Sequence, residues 1–296
     1  MKIAASSYSF SQAFRDGRYN QMTCIAKAKE MGFDAVEFVG LTPHDGSSPM
    51  EYAKSLREEC QRLSMPISNY TIGADFLNCA DLDDEIQRVK GEIDMAVALG
   101  ATSVRHDATV GYPKGAYKSF DSILPIIASA CRQVTEYAAE KGVKTMVENH
   151  GTFVQDSERV EKLVTAVDHP NFGLLVDMGN FLCADENPAI SVGRVAPYAF
   201  YAHAKDFHVK SPMEPNPGDG FFCSRNGTYL RGAIVGHGNV PVRHCLKALQ
   251  QAGYDGYVAI EFEGMEDCIK GLTIGLANLR RRSEERRVGK ECRSRW

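Results

Sequence analysis

The chain reads as α/β, a single-domain (β/α)8 TIM barrel, and three observations carry that expectation. Short β-branched or apolar runs alternate with helix-periodic segments eight times before residue 281, the pattern of parallel strands covered by helices. Glycine follows helix after helix just ahead of the next strand, at Gly32, Gly100, Gly142 and Gly253, where a left-handed cap ends a helix at little steric cost. The phosphate fingerprints of open α/β sheets, G-x-G-x-x-G and G-x-x-x-x-G-K-[ST], are missing after the first strand, which disfavours a doubly wound sheet.

In order, the expected strands are Lys2–Ser7, Ala35–Val39, Ile67–Ile72, Ser103–Asp107, Lys144–Glu148, Gly173–Asp177, Phe200–Ala204 and Tyr257–Glu261. The first helix, Met22–Met31, is carried by Met22, Ile25, Ala26, Ala28 and Met31 at helical spacing. The others are Pro49–Leu63, Leu82–Leu99, Ser119–Lys141, Ser157–Val167, Pro188–Ala196, Pro241–Ala252 and Met265–Arg281. Glu148, Asp177 and His203 lie 29 and 26 residues apart, about one barrel unit each, whereas His203 to Glu261 spans 58. The excess is an insertion, Val209 to Val240, rich in Pro and Gly and long enough for a short hairpin. Loops after barrel strands lie at the functional mouth, so this segment is expected to wall the site and set selectivity, with a plain surface insertion as the alternative.

Residues 282–296 break with this pattern. They carry no apolar period and resemble the read-through of a common sequencing-library adaptor, which places the barrel domain at 1–281 and makes 282–296 a non-native tail; a natural basic tail is the alternative. The tail holds six Lys/Arg against three Asp/Glu and the only Trp, so without it the formal charge moves from −4 to −7. An acidic body argues against a nucleic-acid partner, which needs clustered Lys and Arg. No apolar run reaches membrane-spanning length and the start has no secretory h-region, so the expectation is a cytoplasmic protein without a membrane partner. Nine cysteines without a Cys-x-x-Cys pair read as reduced thiols.

Chemistry concentrates at strand ends. Glu148, Asp177, His203 and Glu261 each follow an apolar run and precede polar or Gly residues. Any one of them alone is more often an ion-pair partner or helix cap than a ligand. Four delivered to one barrel mouth repel unless a cation holds them, and three carboxylates with one imidazole suit one divalent ion, Mn²⁺ first, with Mg²⁺, Co²⁺ or Zn²⁺ also fitting. No His-Glu-x-x-His helix or Gly-x-Ser-x-Gly elbow competes. Alternation places His150 beside Glu148, Lys205 beside His203 and Glu263 beside Glu261, each as a substrate contact. Lys205 beside Asp206 reads as a charged donor rather than a Schiff-base lysine. Glu37 is a further pocket candidate or a rim ion pair, and Arg105, His106 and Asp107 are similar, with alternation unable to choose among them.

Val147-Glu148-Asn-His150, Val176-Asp177, Ala202-His203-Ala-Lys-Asp206 and Ile260-Glu261-Phe, with Gly236-His-Gly238, resemble the sugar phosphate isomerase/epimerase family of xylose isomerase-like barrels across the chain to Arg281. The resemblance implies that Glu148, Asp177, His203 and Glu261 bind one divalent metal, with Glu148 and Glu261 as the catalytic acid/base pair on opposite faces of a sugar. It also implies dimers or tetramers and a small carbohydrate substrate. A metal-stabilised enediolate with two carboxylates supports epimerisation or aldose/ketose isomerisation on general chemical grounds. The chain departs from the ketose 3-epimerase pattern Asp-x-x-His by reading Asp177-Met-Gly-Asn180, and Asn180 cannot become cationic. That leaves room for a lyase or dehydratase acting on a keto-sugar, inosose or 3-keto-glycoside. An endonuclease IV-like three-metal cluster would need several more histidines at the site, and of the eight in the chain several fall in helix or loop contexts; a non-catalytic carbohydrate-binding barrel is the remaining alternative.

Overall fold

The computed structural model describes residues 1–114 and 119–293, from 282 onward as helix backbone only. In chain order the strands are β1 (Lys2–Ser6), β2 (Ala35–Val39), β3 (Ile67–Thr71), β4 (Ser103–His106), β5 (Lys144–Glu148), β6 (Phe172–Asp177), β7 (Ala199–Ala204), β8 (Asp206–Lys210), β9 (Phe222–Cys223), β10 (Tyr229–Ala233) and β11 (Tyr257–Ile260). The helices are α1 (Ser11–Arg15), α2 (Gln21–Met31), α3 (Pro49–Arg62), α4 (Leu82–Leu99), α5 (Phe120–Glu140), α6 (Ser157–Val167), α7 (Asn180–Cys183), α8 (Pro188–Val195), α9 (Val242–Gln251) and α10 (Cys268–Arg293). Among the described residues a closed parallel barrel runs β1-β11-β7-β6-β5-β4-β3-β2.

Local chemistry explains the helix ends. Asn20 and Ser48 form reciprocal capping boxes with Thr23 and Glu51, and Gly32 and Gly100 close α2 and α4 at φ 91° and 84°. The expected boundaries hold within a few residues, except that α10 continues past Arg281 to Arg293. Residues 294–296 of the expected tail lie outside the described residues. Two short helices, α1 and α7, fall where only loops were expected; Asn180, the first residue of α7, thereby turns back toward β5.

Inside the barrel, Ala4, Ala35 and Ala259 pack against Met146, Leu175 and Tyr201 as one apolar layer. Alternation puts the next residue but one of each strand directly above that layer, so Glu37, Glu148, Asp177, His203 and Glu261 form the layer toward the C-terminal mouth. The apolar layer is a floor. The polar layer above it is a consequence of strand period.

The insertion does contain the expected hairpin, but it starts earlier. β8 follows β7 after Lys205 alone, and β8, β10 and β9 make an antiparallel sheet of their own. Asp206 organises its return. Its carboxylate accepts backbone N–H groups of Phe207, Gly236, Gly238 and Val240, each at 2.9 Å, and the backbone at Gly238 comes so near that an added Cβ would lie 2.3 Å from Asp206 Oδ1. Removing four bonds to a charged acceptor leaves several donors unmatched. Asp206→Ala should therefore lower unfolding free energy by about 3 kcal/mol and speed proteolysis within 211–240; an unchanged urea midpoint and digestion pattern would contradict this.

Candidate metal centre

Glu148, Asp177, His203 and Glu261 converge, with one ligand atom from each lying within 4.8 Å of the others. All four are buried. They come from the adjacent arc β5, β6, β7 and the end of β11, and side-chain-to-backbone clamps fix the arc's register at the two places where it carries ligands. Asn149 accepts the Asp177 N–H and donates to the Asp177 carbonyl, both at 2.9 Å, extending the β5–β6 ladder past its last backbone pair. Ser9 donates to the Ile260 carbonyl at 2.9 Å and accepts Phe262 N–H at 2.7 Å, holding the peptides on either side of Glu261.

Asp177 and His203 each have one atom held by a neighbour and the other turned to the cluster. Asp177 Oδ1 accepts the N–H groups of Gly179 and Asn180 at 2.7 and 2.9 Å, a side-chain turn that leaves Oδ2 facing the cluster. His203 Nε2 lies 2.9 Å from Glu37 Oε2. Asn69 and Thr71 donate to the other Glu37 oxygen. With Nε2–H donated to Glu37, Nδ1 presents its lone pair to the other ligands, 3.4 to 3.8 Å away. Asp177 Oδ2, His203 Nδ1 and Glu261 Oε2 are buried without a well-formed hydrogen bond, the two carboxylate oxygens facing the Lys205 ammonium at 3.4 and 2.6 Å. Three carboxylates and an imidazole nitrogen converging in a buried site are costly without cations, and one ammonium does not match them all, so the donor set fits one hard divalent ion.

Electrostatics agree with that fit. Burial alone would lower His203, but Glu37 and Glu261 raise it well above the ordinary imidazole range, so the site favours positive charge there, a proton on Nδ1 or a cation that displaces it. The two outer glutamates diverge. Burial pushes the Glu148 carboxyl up against the opposing pull of Arg105. Burial also penalises the Glu261 charge, yet Lys205 and His203 overcome it and hold that carboxyl well below its usual range. Lys205 Nζ is 2.6 Å from Glu261 Oε2 and 3.4 Å from Asp177 Oδ2. Arg105 Nε is 2.7 Å from Glu148 Oε2 and its Nη2 pairs with Asp107.

The remaining sequence candidates separate into two groups. Asn180 joins the cluster, donating to Glu148 Oε1 at 2.9 Å and accepting from Lys205 at 3.2 Å. Gly179 permits this: a Cβ there would lie 2.9 Å from the Lys205 carbonyl oxygen. Glu263 stands 4.0 Å from Lys205 at the rim, and His150, half-exposed, contacts Asp107 at 2.9 Å. Glu37 is neither a pocket wall nor a rim ion pair but the buried partner of His203. His106 and Asp206 are not brought to the cluster. The His106 ring lies on the outer side of the barrel between Phe76 and Phe172, where burial lowers its pKa to about 4, and Asp206 is spent on the insertion loop. Asn149, Ser9, Asn69 and Thr71 were not foreseen, because a neutral residue that clamps another's backbone leaves no charge pattern in the sequence.

A profile of the xylose isomerase-like TIM barrel family matches residues 25–288. The chain belongs to that family. The inosose dehydratase of Lacticaseibacillus casei is 26% identical over 140 residues, 46% of this chain and 46% of that protein, so the match spans about half the length of this curated relative. An L-ribulose 3-epimerase superposes with a TM-score of 0.73 at 16% identity, covering 99% of this chain and 98% of that one. A probable 3-DHS dehydratase involved in petrobactin synthesis from Bacillus anthracis gives 0.69 at 18%, covering 94% and 99%. The two structural likenesses establish the shared barrel fold. No helix among the described residues is long and apolar enough to cross a membrane.

Two outcomes check the centre. Chelator-stripped protein reloaded from mixed divalent ions should carry about one ion per chain by elemental mass spectrometry, and Asp177→Ala should carry none. Glu37→Gln should weaken metal affinity by about 10–100-fold while the fold survives, because His203 loses its anionic partner; titration calorimetry showing wild-type affinity would remove Glu37 from this role.

Proposed function

We propose that the protein is a divalent-metal-dependent isomerase or epimerase acting on a sugar or sugar derivative. The observation that carries this reading is the convergence of buried Asp177 and His203 between Glu148 and Glu261, with one ligand atom of each within 4.8 Å of the others. Glu148 and Glu261 are the outermost members of the ligand arc, on β5 and after β11. Glu148, Asp177, His203 and Glu261 would hold the ion, which when bound would supply the Lewis acidity to polarise a carbonyl and acidify the neighbouring C–H. A substrate lying over the arc then has one carboxylate at each side. Glu261, kept anionic by Lys205, is the group suited to remove the proton. Glu148, on the opposite side of the arc and braced by Arg105, is suited to return one. Return to the opposite face of the same carbon is epimerisation, and return to the adjacent carbon is isomerisation. Asn180 bridges Glu148 and Lys205 and fixes their separation.

A second reading, a dehydratase or other lyase on a keto-sugar or inosose, is favoured by Lys205. A buried ammonium 2.6 Å from Glu261 puts a proton donor beside the base, which departure of a β-hydroxyl requires. The names of the inosose dehydratase relatives support the same reading.

Metal-loaded protein in deuterium oxide should introduce deuterium next to the carbonyl of a keto-polyol, monitored by NMR over a panel of ketoses and inososes. Glu148→Gln and Glu261→Gln should each reduce turnover by about 10²–10⁴-fold with little change in melting temperature. A product isomeric with its substrate supports the first reading, and loss of one water the second. Near wild-type rates in both variants would sink both.

A further inference from the structure

The sheet that walls the mouth carries a second group of chemically able side chains, on the side that the metal centre does not use. The antiparallel register sets Arg231 of β10 directly opposite His208 of β8, and Tyr229 directly opposite Lys210. Paired residues share a face, with Cβ atoms about 5 Å apart, and the diagonal neighbours Arg231 and Lys210 stand about 7–8 Å apart. Alternation sends Gly232 to the opposite face, where its backbone lies against the Glu263 carbonyl so closely that an added Cβ would be 2.4 Å from that oxygen. The rim of the metal centre is therefore on one side of the sheet and these basic side chains are on the other.

Their charge is unanswered. Arg225, on the same hairpin, meets Asp156 at 2.9 Å, but among the described residues no carboxylate pairs with Arg231, His208 or Lys210. Arg231 lies instead over the Phe221 ring, 5.5 Å from its centroid, and its Nε is buried without a hydrogen-bond partner. A desolvated guanidinium N–H with no acceptor is costly, and basic groups set side by side across a strand pair repel one another. The formal charge of the chain is −4, so acidic side chains are available in number, yet none is placed here. His208, Arg231 and Tyr229 are half-buried and Lys210 is exposed, which leaves the face open to a ligand from solvent.

We infer that this outer face binds a phosphoryl dianion, with Arg231, His208 and Lys210 as its donors and the Tyr229 and Phe221 rings beside it. Three donor side chains on two adjacent strands match a tetrahedral group with three acceptor oxygens and a charge near −2, whereas a carboxylate offers two oxygens and one charge. A phosphate ester and free phosphate share this chemistry. The inference follows from the register of the sheet and is independent of the reaction proposed for the metal centre.

Titration calorimetry of the full, metal-loaded chain with inorganic phosphate, methyl phosphate and acetate, at an ionic strength held constant with chloride, tests this. Phosphate in one of its two forms is expected to bind with a dissociation constant of about 1 mM or below, and acetate at least about tenfold more weakly. Methyl phosphate binding as tightly as inorganic phosphate identifies an ester as the ligand, and a clear preference for inorganic phosphate identifies the free ion. Arg231→Gln and Lys210→Gln should each weaken phosphate binding by about tenfold with the melting temperature unchanged. Lys210 is exposed, so its variant remains informative if Arg231→Gln misfolds. Asp177→Ala, which should carry no ion at the metal centre, should bind phosphate as the wild type does. No saturable phosphate binding by about 10 mM, acetate binding as tight as phosphate, or affinity unchanged in whichever of the two hairpin variants fold would overturn the inference. Loss of binding in Asp177→Ala would overturn it as well, by placing the anion on the metal.

Discussion

Everything at the mouth depends on one constraint: carboxylates buried close together must each be matched by a donor or a cation. Glu37 shows how this is met at the base of the site. Its two oxygens are divided between Asn69 and Thr71 on one side and His203 on the other. That division ties β2 and β3 to β7 across the barrel and fixes which imidazole nitrogen faces the cluster. Breaking it would leave a buried charge unmatched and a ring free to turn. The site's geometry is thus held by the barrel wall opposite the ligands.

The same constraint explains why cations flank the cluster. Arg105 braces Glu148 and Lys205 braces Glu261, so the two outer glutamates can stand near each other without being forced into the same protonation state. The asymmetry between a guanidinium, which stays charged, and an ammonium, which can donate its proton, gives the two sides of the mouth different chemical capacities. Asn180 spans them with one amide, donating to one side and accepting from the other. A histidine there would bring a third titratable group into the pair.

The outer structure serves the inner one. The apolar layer of Ala4, Ala35, Ala259, Met146, Leu175 and Tyr201 closes the barrel below the ligands, while the β8–β10–β9 sheet rises beside the mouth on the Asp206 knot. Small residues appear where backbones must pass closely, as at Gly179 under Lys205. These are packing solutions, set by how closely neighbouring backbones approach.

Strand and helix order, the closed barrel, the convergence of Glu148, Asp177, His203 and Glu261 and the nearness of Lys205, Asn180 and Glu263 were legible in the sequence. Period-2 alternation and unit spacing are local properties that a parallel barrel converts directly into position. The orientation of Arg105, His106 and Asp107 was not legible, because a short strand flanked by polar residues fits either phase. Nor was the task of Glu37 or Asp206: a carboxylate at a strand end looks the same whether it meets substrate, an imidazole or four backbone amides. The clamps by Asn149 and Ser9 join residues brought together only by barrel closure; Ser9 and Ile260 are 251 positions apart. The sequence determined which groups arrive at the mouth, and tertiary structure decided which of them face one another, because direction across a barrel depends on closure and packing rather than on spacing along the chain.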